Sequence, residues 1–346
     1  MKNILVLFGG CSPEYAVSLQ SAYSVLSHLD RKRYRPIPVG ITPSGDWFLY
    51  TGSWKAVLGG TWQEGHCLPA LVSPSRRDHA LLVWRRGRME IIPLDGAFPV
   101  LHGKNGEDGT VQGLLELANI PVVGCGTLSS ALCMDKMRAH QLAQAAGVEI
   151  PRSLVFDRKA SEQELLAGAA SLGCPLFVKP VRAGSSFGIT KVTRADQLQS
   201  AWKNALTYDD RVILEEAIPG FEVGCAILGS TALTIGQVDE VELAHGFFDN
   251  TEKYSLRTSS IHVPARISQE KADQVKAAAI TVYGALDCRG FARADFFLTP
   301  SGRIIFNEVN TIPGFTVHSR FPKMLEAAGI SLEKVINQAV EEAVGL

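Results

Sequence analysis

One stretch near the C-terminal end restricts the folds open to this chain: FARADFFLTPSGRIIFNEVNTIPGFTVHS, Phe291 to Ser319. Two apolar runs, about Phe291 to Leu298 and Arg303 to Val309, flank Thr299-Pro300-Ser301-Gly302, so they are expected to pair antiparallel across a tight turn. With Ser301 and Gly302 as the loop, Asp295 faces Glu308 and Arg293 faces Asn310. Side chains alternate along a strand. Arg293, Asp295, Glu308 and Asn310 therefore share one face, in adjacent cross-strand pairs. Such a face can simply be the polar outside of a sheet carrying ordinary ion pairs. Its chemical reading is different. Two carboxylates and an amide oxygen suit a hard cation such as magnesium, shared with nucleotide phosphates. The arginine beside them suits a phosphate or a developing oxyanion. The Pro313-Gly314 turn that follows offers backbone amides to a closely approaching ligand.

The opening of the chain sets the class. Asn3 to Phe8 (NILVLF) has the unbroken apolar character of a central parallel strand. Gly9-Gly10-Cys11-Ser12-Pro13-Glu14 follows, with Ser12 as the expected N-cap and Pro13 at the first helical position. Val17, Leu19, Ala22, Val25, Leu26 and Leu29 then keep a mostly helical period. Strand, glycine turn and helix form an α/β opening whose amides can hold an anion, although any tight strand-to-helix turn looks the same. Glu14 either complements the helix N-terminus or pairs with a substrate ammonium. Residues 35–93, with Trp47, Trp54, Trp62 and Trp84, read as strands and loops packed on this first domain. His102 to Gly109 (HGKNGEDG), at a strand end before an amphipathic helix, reads as a binding loop rather than a plain surface loop. A helix from Met134-Asp135-Lys136 to about Gly147, with Pro151 beyond it, closes the domain. Lys136 taken alone is an ordinary surface lysine.

The middle of the chain points to phosphate. Phe177-Val178-Lys179-Pro180 is a strand ending in a lysine, before the Gly/Ser-rich loop that holds Ser185 and Ser186. A point charge beside loop amides suits phosphate, and the loop is not a Walker A sequence. Arg211 to Glu216 (RVILEE) is a further strand. Glu215 and Glu222 could take an adenine amino group and ribose hydroxyls, though acids at strand ends are usually just solvated. Residues 245–259 form a polar loop of a length typical of active-site lids. Lys271 to Leu286 and Leu332 to Val344 read as amphipathic helices.

Composition removes other classes. The chain has 346 residues, room for two or three domains, and a formal net charge of −1 without a basic block, which argues against nucleic acid as the main partner. Its seven cysteines are scattered and odd in number, which suits free thiols in a reducing cytoplasm. No zinc-type histidine pattern occurs. The apolar run Ile4 to Phe8 is too short for a signal peptide or a membrane span.

Together, GGCSPEYAVSLQS, LHGKNGEDG, MDK, FVKPVRAGSSFGI, EKY and FNEVNTIPGFTVHS resemble, in order and over nearly the whole chain, the D-alanine–D-alanine ligase family of ATP-grasp enzymes. The resemblance implies an α/β, three-domain ATP-grasp ligase: residues 1–134 as an N-terminal domain with a parallel sheet, 135–214 as a central subdomain, and 215–346 as a C-terminal subdomain with the metal site and a lid at 245–259. It implies ATP held by Lys136, Lys179, Ser185, Ser186, Glu215, Glu222 and Lys253, and two magnesium or manganese ions on Asp295, Glu308 and Asn310. A first D-alanine would meet Glu14 and His102, become an acyl phosphate, and be attacked by the amine of a second D-amino acid. Arg293 and the Gly314 amide would form the oxyanion hole, a role worth about 3 to 4 kcal/mol per donor elsewhere. Ser185 and Tyr254 would link to Glu14 and position the lid. A cytoplasmic homodimer is also implied.

The second substrate is where this chain departs from housekeeping members. After His318-Ser319 it has Arg320 where they usually have leucine, and there it resembles the ligases of vancomycin-resistant bacteria. Lys253-Tyr254 is kept, where lactate-forming relatives carry a histidine. Asp239, Phe247, Phe248 and Arg320 resemble the D-alanine–D-serine type, with Ser319 a further substrate-binding residue, while Asn250 stands where an aromatic is more usual. The expected product is a D-alanine–D-serine precursor of peptidoglycan. D-alanine–D-alanine is the alternative, and a degenerate nucleotide-binding protein is the alternative of another class.

Overall fold

The computed structural model describes residues 1–184, 186–243 and 259–345. The chain opens with β1 (Lys2–Gly9), α1 (Tyr15–His28), β2 (Tyr34–Ile41), β3 (Trp47–Tyr50), α2 (Trp54–Leu58), β4 (Cys67–Val72), β5 (Ala80–Arg85), β6 (Arg88–Pro93) and β7 (Gly96–Val100). These strands make one seven-stranded sheet in the order β6-β5-β4-β3-β2-β1-β7. β1 lies parallel between β2 and β7, and its Ile4 to Phe8 are wholly buried, as an unbroken apolar strand requires. Residues 35–93 do not pack on this sheet from outside, as expected from the sequence. They extend it, with β2 to β6 pairing as successive antiparallel neighbours and α2 lying in the connection between β3 and β4. The predicted Ser12 cap is also displaced. α1 starts at Tyr15 with Glu14 as its cap residue, and the Ser12 hydroxyl instead accepts from the Glu14 amide at 3.1 Å. The Ser12-Pro13 turn thereby sets Glu14 at the helix mouth.

α3 (Thr110–Leu117), α4 (Thr127–Met134) and α5 (Lys136–Ala145) lead to a second sheet. It contains β8 (Ser153–Asp157), β9 (Leu176–Pro180), β10 (Thr190–Val192) and β11 (Arg211–Glu216), all antiparallel in the order β10-β9-β11-β8. α6 (Glu162–Leu172) and α7 (Leu198–Ala205) supply the apolar side chains that cover it.

The third sheet contains β12 (Phe221–Leu228), β13 (Thr234–Ile235), β14 (Asp239–Leu243), β15 (Ser259–His262), β16 (Phe291–Leu298) and β17 (Ile304–Asn310). Its order is β15-β14-β12-β16-β17, with β13 on β12. α8 (Gln269–Ala285) backs it, and α9 (Arg320–Ala327) and α10 (Leu332–Val344) end the chain. Val335, Ile336, Ala339 and Val340 of α10 join the core of β1 and α1, so the end of the chain completes the first sheet. Phe98, Phe291, Phe315 and Phe321 form an aromatic hub, with ring centroids 5.0–5.9 Å apart, that ties β7 and β16 to the loop before α9.

The β16–β17 register needs one correction. Thr299 and Arg303 bracket the turn through an amide-to-carbonyl bond of 2.9–3.0 Å, so the loop is Pro300-Ser301-Gly302, with Gly302 at φ +80°. That is one residue longer than the two-residue loop expected. Phe296 accordingly faces Phe306, and a bulge beyond Asp295 then restores Asp295 opposite Glu308 and Arg293 opposite Asn310. The extra residue, Asn307, offers its carbonyl to His140 of α5 at 2.9 Å. A longer turn and one bulge cancel, and the polar face comes out in the expected register.

Candidate active site

A cavity of about 670 Å³ opens where α1, the His102 loop and the third sheet meet. Glu14, His102, Glu107, Arg293, Glu308 and Asn310 are among its lining. The site thus gathers residues from both ends of the chain.

On the sheet side, strand register lays Asp239 of β14, Gly224 of β12, Asp295 of β16 and Glu308 of β17 in one row. Asp295 is almost wholly buried and surrounded by donors. Arg293 grips it with Nε at 2.9 Å and Nη2 at 2.8 Å. The Asn310 side-chain nitrogen donates to it at 2.9 Å, and Arg320 Nη2 lies 3.3 Å away. Arg320, the first residue of α9, also donates to Asp239 through Nε at 2.7 Å and Nη2 at 2.8 Å, and to Glu222 through Nη1 at 2.6 Å. Burial opposes the charge of this guanidinium, but Asp239, Asp295 and Glu222 outweigh it and hold Arg320 strongly cationic. Glu222, expected at the nucleotide, therefore also reaches the Arg320 side.

The opposite wall is built differently. Gly103 donates to Glu107 at 2.8 Å and Ile312 to its other oxygen at 3.2 Å, so Glu107 ties the His102 loop to the loop after β17. Burial first, and then the nearby Glu14 charge, push the Glu107 carboxyl up to about 8. Burial lowers the His102 imidazole, against the pull of Glu14. His102 Nε2 has no hydrogen-bond partner among the described residues. Gly314 lies close against Ser319: a Cβ there would sit 2.6 Å from the Ser319 hydroxyl. That hydroxyl contacts the Thr316 hydroxyl at 2.8 Å and accepts from the Thr316 amide at 3.2 Å.

On β9 and β11, Lys179 is buried against the buried Glu215 in an ion pair of 2.5 Å. The second Glu215 oxygen is buried without a partner among the described residues, a place for a ligand donor. Lys136 is not a solvated surface lysine. It is buried and donates at 2.7 Å to the carbonyl of Ala183, next to the Gly/Ser-rich loop. Ser186 sits in that loop at φ +60°. Ser185, Phe247, Phe248, Asn250, Lys253, Tyr254 and the lid through residue 258 lie outside the described residues. Sequence reasoning missed Glu107 and Gly224. Glu107 was visible only as one acid of a polar loop, and Gly224 gave no signal at all.

Among the described residues no group of three or more His, Cys, Asp and Glu side chains forms a metal cage. The hairpin instead offers two acids and an amide, which fits a cation shared with phosphate oxygens, because such ions need only one or two protein carboxylates. Arg293 and Arg320 pair with the carboxylates of Asp239, Glu222 and Asp295, and Glu308 lies opposite Asp295 on the neighbouring strand. Two positive charges against four negative ones leave an excess equal to one divalent cation.

A lysine–glutamate pair on one antiparallel sheet, facing an acid-bearing hairpin on another, defines an ATP-grasp enzyme. Residues 3–125 match the family model described as D-ala D-ala ligase N-terminus, and residues 142–341 match D-ala D-ala ligase C-terminus. The chain belongs to the D-alanine–D-alanine ligase family, and it is an ATP-dependent ligase that joins D-alanine to a second small D-acid. It is 42% identical over 343 residues to the vancomycin/teicoplanin A-type resistance protein VanA of Enterococcus faecium, covering 98% of this chain and 97% of that protein. It is 45% identical to the vancomycin C-type resistance protein VanC1 of Enterococcus gallinarum, covering 98% of each. The crystal structure of the VanG D-Ala:D-Ser ligase from Enterococcus faecalis superposes with a TM-score of 0.92 at 52% identity, covering 99% of both chains.

Proposed function

We propose that the enzyme makes D-alanine–D-serine, with ATP as the energy source and D-alanine as the competing second substrate. The observation that carries this reading is Arg320. Its guanidinium has five N–H donors. Asp239 and Glu222 accept three of them, Asp295 lies at ion-pair distance from Nη2, and the second N–H on Nη1 is left for a substrate oxygen. Arg320 lines the cleft, and a site built around a hydroxyl disfavours the substrate that lacks one. The 52% identity to a D-Ala:D-Ser ligase points the same way.

In the proposed reaction Glu14 holds the ammonium of the first D-alanine, and His102 borders it. The D-alanine carboxylate attacks the γ-phosphorus of ATP, giving D-alanyl phosphate and ADP. The amine of the second substrate attacks the acyl carbon, loses a proton, and inorganic phosphate leaves. Arg293 and the Gly314 amide face the oxyanion. Lys179, Lys136, Ser186, Glu215 and Glu222 hold the nucleotide, together with Ser185 and Lys253, while Ser185 and Tyr254 orient the lid. Asp295, Glu308 and Asn310 would hold two magnesium or manganese ions, which supply charge neutralisation at the phosphates. The three units expected from the sequence, a homodimer and a cytoplasmic setting complete the proposal. None of the helices among the described residues is long and apolar enough to cross a membrane.

A competition assay tests the reading. With ATP, magnesium and equal D-alanine and D-serine near neutral pH, D-alanine–D-serine should dominate the products. A dominant D-alanine–D-alanine product would overturn the serine assignment. Absence of D-alanine-dependent phosphate release would overturn the ligase mechanism.

A further inference from the structure

Gly224 lies in the middle of β12, directly between Asp239 on β14 and Asp295 on β16. Glu222, two residues earlier, points to the same face. Three carboxylates thus surround a strand position without a side chain, and the Arg320 guanidinium occupies the gap. A Cβ built on Gly224 would stand 2.6 Å from Arg320 Nη2, 2.7 Å from Asp295 Oδ1 and 2.8 Å from Asp239 Oδ1. Real Cβ atoms do not approach other heavy atoms so closely, so any side chain here would move the ion pairs. The Gly224 backbone does not have the positive φ that favours glycine, unlike many other glycines of this chain. The requirement at Gly224 is for space alone.

We infer that Gly224 is a positioning residue for second-substrate selection: the absence of its side chain is the seat into which Asp239, Glu222 and Asp295 draw Arg320. The inference rests on the reading that Arg320 meets the second substrate, and it adds a determinant that touches no substrate. It also explains why an arginine at the start of α9 is not sufficient. Without the empty strand position, Arg320 could not pair with acids on both sides at once, and its remaining N–H would no longer be aimed.

The test is a thermodynamic cycle on the full-length enzyme. Gly224→Ala is made in the natural chain and in an Arg320→Leu/Asp239→Ala background, which removes the guanidinium and the acid that holds it with two hydrogen bonds, and with them two of the three close contacts. KM values for each amino acid are measured with D-serine and with D-alanine as second substrate. In the natural chain Gly224→Ala should raise KM for the second amino acid by about tenfold or more, with KM for the first D-alanine changed less than about twofold; in the background it should change neither by more than about threefold. An unchanged KM in the natural chain, or an equal rise in both chains, would overturn the inference. If Gly224→Ala alone fails to fold, recovery of folding in the background supports the seat, because the collisions with Arg320 and Asp239 have been removed. Failure in both chains overturns it, since the need for glycine in β12 would then not come from Arg320. These outcomes do not depend on which product the unaltered enzyme prefers, so the serine reading and the seat can fail separately.

Discussion

The two walls of the cleft manage charge in opposite ways. Around Asp295, fixed arginines pair with three carboxylates: Arg293 and Arg320 with Asp295, and Arg320 with Asp239 and Glu222. Around Glu107 the protein's own groups oppose ionisation, burial first and the Glu14 charge second. A wall whose carboxylates are held in fixed ion pairs recognises by shape and by the few donors left over. A wall short of positive charge suits a ligand that brings one, which in the proposed reaction is the ammonium of D-alanine. The same enzyme can therefore choose its second substrate geometrically and its first electrostatically.

Substitutions should separate the walls, and the largest effect belongs to the ion-paired one. Asp295→Ala removes a proposed metal ligand and strands Arg293, so kcat/KM in a phosphate-release assay should fall by about a thousandfold or more. Full activity in that variant would show that Asp295 serves the ion pairs only. Next, Arg320→Leu leaves Asp239 buried without its counter-charge, and urea unfolding at neutral pH should show a loss of about 3 kcal/mol or more. The same variant should lower the ratio of serine to alanine product. Glu14→Gln on the other wall should raise KM for the first D-alanine by about 10- to 100-fold, the worth of one hydrogen bond to a charged group. Its unfolding free energy should move far less than that of Arg320→Leu; equal losses would break the contrast.

The smallest effect depends on pH. The Glu107 carboxyl is raised from 4.5 to about 8 in the folded protein. Between those values the unfolded chain releases a proton that the folded protein keeps, so stability falls as pH rises through that window. Glu107→Gln has no such proton. Its amide can accept from only one of the two backbone donors, so it should be the less stable protein at pH 5. The melting-temperature gap to the unaltered enzyme should narrow as pH approaches 8. A gap that stays constant would mean that Glu107 is ionised throughout.

Much of this site was legible in the chain. The alternation of β16 and β17 predicted which four polar residues share a face, because period-two geometry allows little else. The register agreed through compensation, since the three-residue turn at Pro300 and the bulge at Asn307 cancel. The Lys179 strand and the His102 loop were also visible, the first as an apolar run ending in a charge and the second as a glycine-rich strand end. The partners of Arg320 were only partly visible, because Asp239, Glu222 and Asp295 belong to three strands whose adjacency no local pattern encodes. Lys136 looked like a surface residue because a lysine at a helix start usually is one, and only the packed loop at Ala183 buries it.

What the sequence determined by itself was local: where strands and helices form, which residues alternate onto one face, and which motifs mark an ATP-dependent ligase. The first two follow from short-range sterics and periodicity, and the third from resemblance to a known family. Tertiary structure decided the rest. It brought α10 back to complete the core of the first sheet, placed β14, β12 and β16 side by side, and set an arginine over a glycine between two acids. The physical reason is that burial and ion pairing depend on groups far apart in the chain. A glycine with ordinary backbone angles carries no mark of its role until the atoms that fill its missing side chain are in place.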